Sequence, residues 1–539
     1  MQKRSEIFWV TGVVAVSVRL VFYTLFSGTM FRFYHMVSGL DMQTLLRFSE
    51  WGEGFAFKPF FTLHRVMLFL LWKLNSQSHA VDAAFAIQSF FGVLGTLALT
   101  DSILMLCGKR KAALIGGLLY ALYLPFLIYE FSILQESLSL NFLLFAFWSL
   151  LRARKKHFSF SASLLCGILW GVSFTGRPVA LLSGAALLGW SVFYCYKKKV
   201  FRRSTVLLAG VLLVLTGATL FNHSFGWKSG PFYNVLPYTL AYNTTLADSA
   251  STAAEPPSRG KALLTTAKNM LLRTPLMLSV RELPENLNLY FWREKMPESR
   301  LLPGPEILIS LTIFSLMIYL LSSSLKGRES LVLWMLLMAP MLCGREPIGR
   351  YRLLLCPFFI MIAVTGFTLL PRLKPVLRRN ISLLLAGAVT IVSVVFELNR
   401  NYGLRSSDYH SWALATEAGL GNNEVTLDAF YEFWKLSRMR DDGAFRAFQG
   451  AAMRCSRMDL AAKVIRQAEL AGEVSPHLIA YYTGLIYVGK QDPVNVMRCF
   501  SKIDPARLPA DLQVHFFRIV RDSQAFLQKQ QQSGLNKTR

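Results

Sequence analysis

The chain has 539 residues, of which 53% are hydrophobic and 17% charged. Soluble domains carry closer to about a quarter charged residues, so this balance excludes an ordinary soluble protein and points to lipid as the solvent. A formal net charge of +26 would suggest nucleic acid in a soluble chain. Here the basic residues cluster between apolar runs, and no basic patch is interleaved with aromatics, so nucleic acid is not expected as a partner.

A run able to cross roughly 30 Å of hydrocarbon needs about 17–25 residues. The first, within MQKRSEIFWVTGVVAVSVRLVFYTLF, opens on a basic start. No small-x-small cleavage site follows it and Arg19 interrupts it, so it reads as a retained span rather than a signal peptide. Spans are predicted near 7–26, 82–106, 112–129, 137–151, 161–176, 178–196, 204–222, 303–323, 330–344, 352–370 and 380–397, about eleven in all.

Basic clusters orient them: Lys3-Arg4, Lys109 to Lys111, Arg152 to Lys156, Lys197 to Arg203, Lys326 to Arg328, and Arg372 to Arg379. All six fall on the cytoplasmic side if the run 60–74 does not cross. That run contains His64 and Arg65, is short for a span, and reads as an amphipathic helix on the outer face. The outer face then holds residues 27–81, the tip at 130–136, Arg177-Pro178, the loop 223–302, the segment 345–352 and everything after 397.

GREPIGRYR breaks the charge rule by placing Arg345, Arg350 and Arg352 in a short outer turn. Three readings stand: a local departure from this topology, contact with lipid headgroups, or an anion site. Arginine is costly at a membrane border, and its planar fork matches phosphate.

Beyond residue 400 the sequence turns polar and helix-forming, without a span. FQGAAMRCSRMDLAAKVIRQAEL from Phe448 and YTGLIYVGKQDPVNVMRCFSKID from Tyr482 repeat weakly, and Gly450 and Gly484 stand 34 residues apart. That is the period of tetratricopeptide helix pairs, so a tetratricopeptide-like domain over 401–539 is expected, with an unrelated helical bundle as the alternative. Either would serve partner or acceptor contact rather than catalysis. The seven cysteines show no metal-ligand spacing, and Cys455 and Cys499 would pair only in an oxidising compartment.

Chemistry points to the first outer loop. Asp41 follows the first span, and Lys58-Pro59 comes after a turn with Gly52 and Gly54. A carboxylate beside cations suits deprotonation of a hydroxyl or amine acceptor, and Lys58 suits a phosphate leaving group. Asp41 also fits a plain helix cap before MQTLLRF. His35 and Glu50 read singly as structural polar groups.

Asp41 after the first span, KPFFTLHRVMLFLLWKL, GKRKAALIGGLLYALYLPFLIYEFSILQESLSL, GILWGVSFTGRPVALL and RYRLLLCPFFIMIA together resemble the polyprenyl-phosphate-sugar-dependent glycosyltransferases of the GT-C fold. Within these the chain is most similar to the protein O-mannosyltransferase and lipid A aminoarabinose transferase branch, over roughly residues 7–370. The fold class implied is all-α: a polytopic GT-C-like bundle over 1–400 followed by a soluble helical-repeat domain.

The resemblance implies that Asp41 is the catalytic base or acceptor anchor and that Glu136 is the second acid at the outer end of a span. Glu130 is a weaker candidate for that place. It implies donor-phosphate contacts for Lys58, Arg177 in TGRP, and Arg350 and Arg352 in RYR, and the anion-site reading of the same outer turn adds Arg345. Two departures bear on the acceptor class: Met42 stands where many relatives carry a second acid, and Phe60 where they carry a second proline.

The expected reaction is sugar transfer from a polyprenyl-phosphate donor to a protein or lipid/glycan acceptor on the non-cytoplasmic face. The setting implied is a bacterial inner (plasma) membrane, with the N-terminus cytoplasmic and the C-terminal domain outside. No cofactor is expected, since one firm carboxylate rarely makes a metal site. The rival readings are a lipid-linked oligosaccharide ligase or polymerase, a transporter or flippase, and a scaffold acting through its helical domain. Arg19 and Asp101 are the main charged residues at membrane depth that a transporter would use.

Overall fold

The computed structural model describes residues 2–37, 42–43, 62–74, 77–176, 201–224, 287–321, 352–369, 404–437 and 441–537, with a few isolated positions besides. Its elements are helices, and no strand occurs among the described residues. The chain divides into two compact units, 1–403 and 404–539.

In the first unit, α1 (Gln2–Ser27), α3 (Gln77–Cys107) and α8 (Phe201–Ser224) each contain a stretch long and apolar enough to cross a membrane. A short helix, α2 (Thr62–Leu74), precedes α3. The span expected at 112–129 is broken. It consists of α4 (Arg110–Leu122) and α5 (Leu124–Glu130), bent by 48° at Tyr123. Pro125, early in α5, has no N–H to continue the ladder, which accounts for the break.

The remaining helices of this unit are α6 (Glu136–Lys155), α7 (Phe160–Gly176), α9 (Leu289–Lys295), α10 (Pro305–Leu321) and α11 (Cys356–Phe367). The runs expected at 178–196, 330–344 and 380–397 lie outside the described residues apart from isolated positions. These apolar helices make the protein an integral membrane protein, because hydrocarbon tolerates a backbone only when its hydrogen bonds are closed within the segment.

Residue contacts set the helix directions. Gly12 approaches Leu97 while Arg19 approaches Gly92, so α1 and α3 are antiparallel. Cys356 meets Tyr123 and Val364 meets Gly116, so α11 runs against α4. Gly95 meets Asn141 and Asp101 meets Arg152, so α3 and α6 are parallel. Gly167 and Gly171, four residues apart, take α8 at Gly210 so closely that a Cβ on any of the three would clash, and these helices are parallel too. Small residues at that spacing let backbones approach where no hydrophobic force separates protein from lipid. The start of α1, the α3–α4 turn, the end of α6 and the start of α8 therefore share one end of the bundle. That end carries the basic clusters Lys109 to Lys111 and Arg152 to Lys156. The end of α5 and the start of α6 lie at the other.

The second unit is a series of helix pairs: α12 (Ser406–Leu420) with α13 (Glu424–Leu436), α14 (Asp442–Arg454) with α15 (Met458–Ala471), and α16 (Pro476–Gly489) with α17 (Pro493–Phe500). The long helix α18 (Ala510–Lys537) closes it. The turn within each pair carries one residue of positive φ, at Gly421, Ser456 and Gln491. These recur every 35 residues, from 421 to 456 to 491, so the repeat has a third copy beyond the two visible in the sequence. Aromatic contacts thread the pairs: Trp434 to Phe445, Phe445 to Tyr482, Tyr481 stacked on Phe500 at 5.9 Å, and Phe500 to Phe516. Cys455 and Cys499 are free thiols, each with its pKa raised by burial.

The two glycines that reveal the repeat are not equivalent. A Cβ on Gly484 would overlap the Phe500 ring, whereas one on Gly450 would meet only the far end of the Arg454 side chain, at 3.2 Å. Gly484→Ala is expected to destabilise this unit by about 1–3 kcal/mol through overpacking. Gly450→Ala should be neutral or slightly stabilising in a helix interior. Thermal unfolding of the two variants checks the contrast.

Candidate functional site

The end of the bundle away from the basic clusters gathers several ionisable side chains. Arg19 lies on α1 about two turns before its end at Ser27. Its Nη2 donates to Glu130 Oε1 at 2.6 Å, and its Nη1 donates to the carbonyl of Ala15 at 3.1 Å. Arg19 is 3% exposed and Glu130 1%. A charge at this depth in an apolar bundle is held only by a partner of opposite sign. Gly92 of α3 makes room for the pair, since a Cβ there would clash with both side chains.

Six residues after Glu130, α6 begins at Glu136, itself 1% exposed. A carboxylate in a first helical turn meets the positive end of the helix dipole. Gln88 of α3 braces the intervening turn, its Nε2 donating to the carbonyls of Glu130 at 3.1 Å and Ser132 at 3.0 Å. Within the turn, the Ser132 hydroxyl donates to the Ile128 carbonyl at 2.6 Å. Next to this region, Tyr120 of α4 donates to Asn141 Oδ1 of α6 at 2.9 Å, over Gly95.

Arg352 is 3% exposed and sits one turn before α11. Its carbonyl accepts from Leu355 N at 2.9 Å and from Cys356 Sγ at 3.5 Å, and Cys356 Sγ in turn lies 3.5 Å from the Tyr123 hydroxyl. Tyr123 marks the α4–α5 break, so Arg352 stands at the end of the bundle to which α5 leads. Leu124 N donates to the Pro303 carbonyl at 3.0 Å, which brings the start of α10 to the same place.

Past α1, a 3₁₀ helix (Met30–Met36) carries Arg32, whose Nη2 lies 3.0 Å from Asp82 Oδ2. Burial lowers the pKa of His35, on the same turn, from its ordinary value and favours its neutral form. An aromatic platform covers this end. Trp292 of α9 stacks on Phe31 at 3.8 Å and on Phe26 at 5.8 Å, while Phe131 packs on Phe22 at 5.4 Å. Residues 287–301, placed by the sequence in the outer loop, thus pack on the end of α1.

The structure places Glu136 and Arg352 in this region, and Glu130 with them. Asp41, Lys58, Arg177, Arg345, Arg350 and Glu50 lie outside the described residues. Sequence reasoning missed the Arg19–Glu130 pair, although the interruption of an apolar run by Arg19 was a signal that an acid must face it. Asp101, the other charge noted at membrane depth, is also paired. Its Oδ2 accepts from Trp148 Nε1 at 2.9 Å and Arg152 Nη2 at 2.9 Å, toward the basic end.

No protein-family model matches the chain, and no curated protein matches it. Among solved structures, it is similar to the Archaeoglobus fulgidus oligosaccharyltransferase in complex with Zn and sulfate. The TM-score is 0.41 and the identity 13%, over 82% of this chain and 56% of that one. Likeness to the Archaeoglobus fulgidus oligosaccharyltransferase AglB with an inhibitory peptide and a dolichol-phosphate has a TM-score of 0.36 and 12% identity, over 82% and 59%. The chain spans a little over half the length of these enzymes.

Proposed function

We propose that the protein is a GT-C-type membrane glycosyltransferase. It moves a sugar from a polyprenyl-phosphate-linked donor to a protein or lipid/glycan acceptor on the non-cytoplasmic face. The observation that carries this reading is the burial of Glu136 and Arg352 at the end of the bundle opposite its basic clusters. An acid and an arginine withdrawn from water at a membrane border are costly, and such residues mark sites of function. The apolar tail of the donor stays in the bilayer, which explains why the site lies at its border.

In the reaction, the acceptor heteroatom forms a bond to the anomeric carbon as the bond from that carbon to the phosphate oxygen breaks. The electron pair leaves on the polyprenyl phosphate, and the acceptor proton passes to Asp41. Displacement in one step inverts the anomeric centre. Lys58, Arg177, Arg345, Arg350 and Arg352 meet the phosphate charge, and Glu136 stabilises positive charge developing on the sugar. The C-terminal unit, read as tetratricopeptide-like, holds the acceptor or a protein partner.

The test is transfer by the purified full chain in liposomes, supplied with polyprenyl-phosphate sugar and followed by mass change of the acceptor. Lys58→Ala and Arg352→Met are each expected to lower kcat/KM by about tenfold or more. Unimpaired transfer in both variants would overturn the reading. In cells, loss of single-sugar additions on deletion of the gene supports it, and loss of whole glycan chains would favour a ligase.

A further inference from the structure

We infer that Arg19 and Glu130 form a positioning pair that sets the turn from Phe131 to Gln135 and, through it, the place of Glu136. This role rests on the transferase reading for its effect on catalysis, but its geometry stands by itself. Glu130 closes α5 and Glu136 opens α6, so the turn between them is anchored at one end by a side chain gripped from α1. The Arg19 guanidinium holds Glu130 Oε1 at 2.6 Å, while Gln88 of α3 holds the carbonyls of Glu130 and Ser132. Two elements remote in sequence, α1 and α3, therefore converge on one turn of five residues.

Two features argue against simple charge neutralisation. First, α3 is notched for the pair: Gly92 has no Cβ, and any other residue would push Arg19 and Glu130 apart. Second, among the described residues Arg19 Nε and Glu130 Oε2 are buried without hydrogen-bond partners. Burying those groups is unfavourable, and an apolar pair of the same volume would pack more stably. What the ion pair supplies is a single, direction-dependent geometry at the entry to α6. Glu130 is thus a positioning residue, and Glu136 the acid that faces the reaction.

The experiment uses the full chain carrying Ser132→Cys, a near-isosteric thiol in the turn. Labelling at that residue by a water-soluble maleimide is read by mass spectrometry beside sugar transfer. Gly92→Ala, which displaces the pair while leaving every ionisable group in place, and Arg19→Met are each expected to lower kcat about 10–100-fold, with donor KM changed less than about threefold. Both should speed labelling by about tenfold as the turn opens. Gly12→Ala, whose Cβ would meet only Leu97 at 3.6 Å, should change neither quantity, and Arg19→Lys should recover most of both.

If Arg19→Met does not insert, Arg19→Met/Glu130→Gln replaces it and should show the same two changes. Labelling as slow as in the parent in both Gly92→Ala and the Arg19 variant would overturn the positioning role, whatever the activity. A parent that transfers no sugar, with labelling accelerated as expected, would overturn the proposed function and leave the positioning role in place.

Discussion

Asp41→Asn is expected to slow sugar transfer steeply while the protein still inserts and keeps its thermal midpoint. The amide preserves size and most hydrogen bonding, but it takes no proton from the acceptor. General-base catalysis contributes about 10²–10⁴-fold, so kcat should fall within that range. In the proposed reaction Lys58 and the arginines meet the donor phosphate, so the donor KM should stay near the parent value. If Asp41 were only a helix cap, its asparagine would cap nearly as well and transfer would continue unchanged. Single-turnover measurement with a preformed donor complex separates these outcomes.

Trp292→Ala is expected to have the largest effect on stability, about 3–5 kcal/mol. Trp292 is 1% exposed and stacks on three phenylalanines, Phe22, Phe26 and Phe31. These belong to the end of α1 and to the 3₁₀ helix after it. Removing the indole leaves a cavity where α9 meets both, and residues 287–301 should become open to protease before the rest of the unit unfolds. Trp292→Phe should keep most of the stability, because the indole Nε1 has no hydrogen-bond partner to lose among the described residues. Equal losses in both variants would show that the indole itself, and not an aromatic ring at this place, decides the effect.

Much of the membrane unit was legible in the sequence. The apolar runs at 7–26, 82–106 and 204–222 are helices long enough to cross, and the directions read from contacts agree with the basic clusters at 109–111 and 152–156. These properties are local. Hydrocarbon screens each segment for polar groups one at a time, so hydropathy and Lys/Arg placement record the outcome residue by residue. Glu136 entered as a candidate through the family resemblance, which implies a second acid at the outer end of a span. In the C-terminal unit, the repeat was visible only where both copies happened to keep a glycine.

The tertiary structure decided what depends on partners far apart in the chain. Arg19 and Glu130 are separated by 111 residues, and nothing in either neighbourhood names the other. Gly92 shows no signature of the notch it provides, and Gln88 reads as one more polar residue until its two carbonyl acceptors are seen. The break at Tyr123 splits what hydropathy presents as one continuous span, because hydropathy is blind to a bend. Gly421 entered the repeat only through its backbone conformation, which recurs at Ser456 and Gln491 in residues with no chemistry in common. Solvent preference is a property of each residue, and the sequence alone was enough to place the spans at 7–26, 82–106 and 204–222. Pairing and close approach are properties of packed surfaces, and only the folded bundle determined how the buried acids are held.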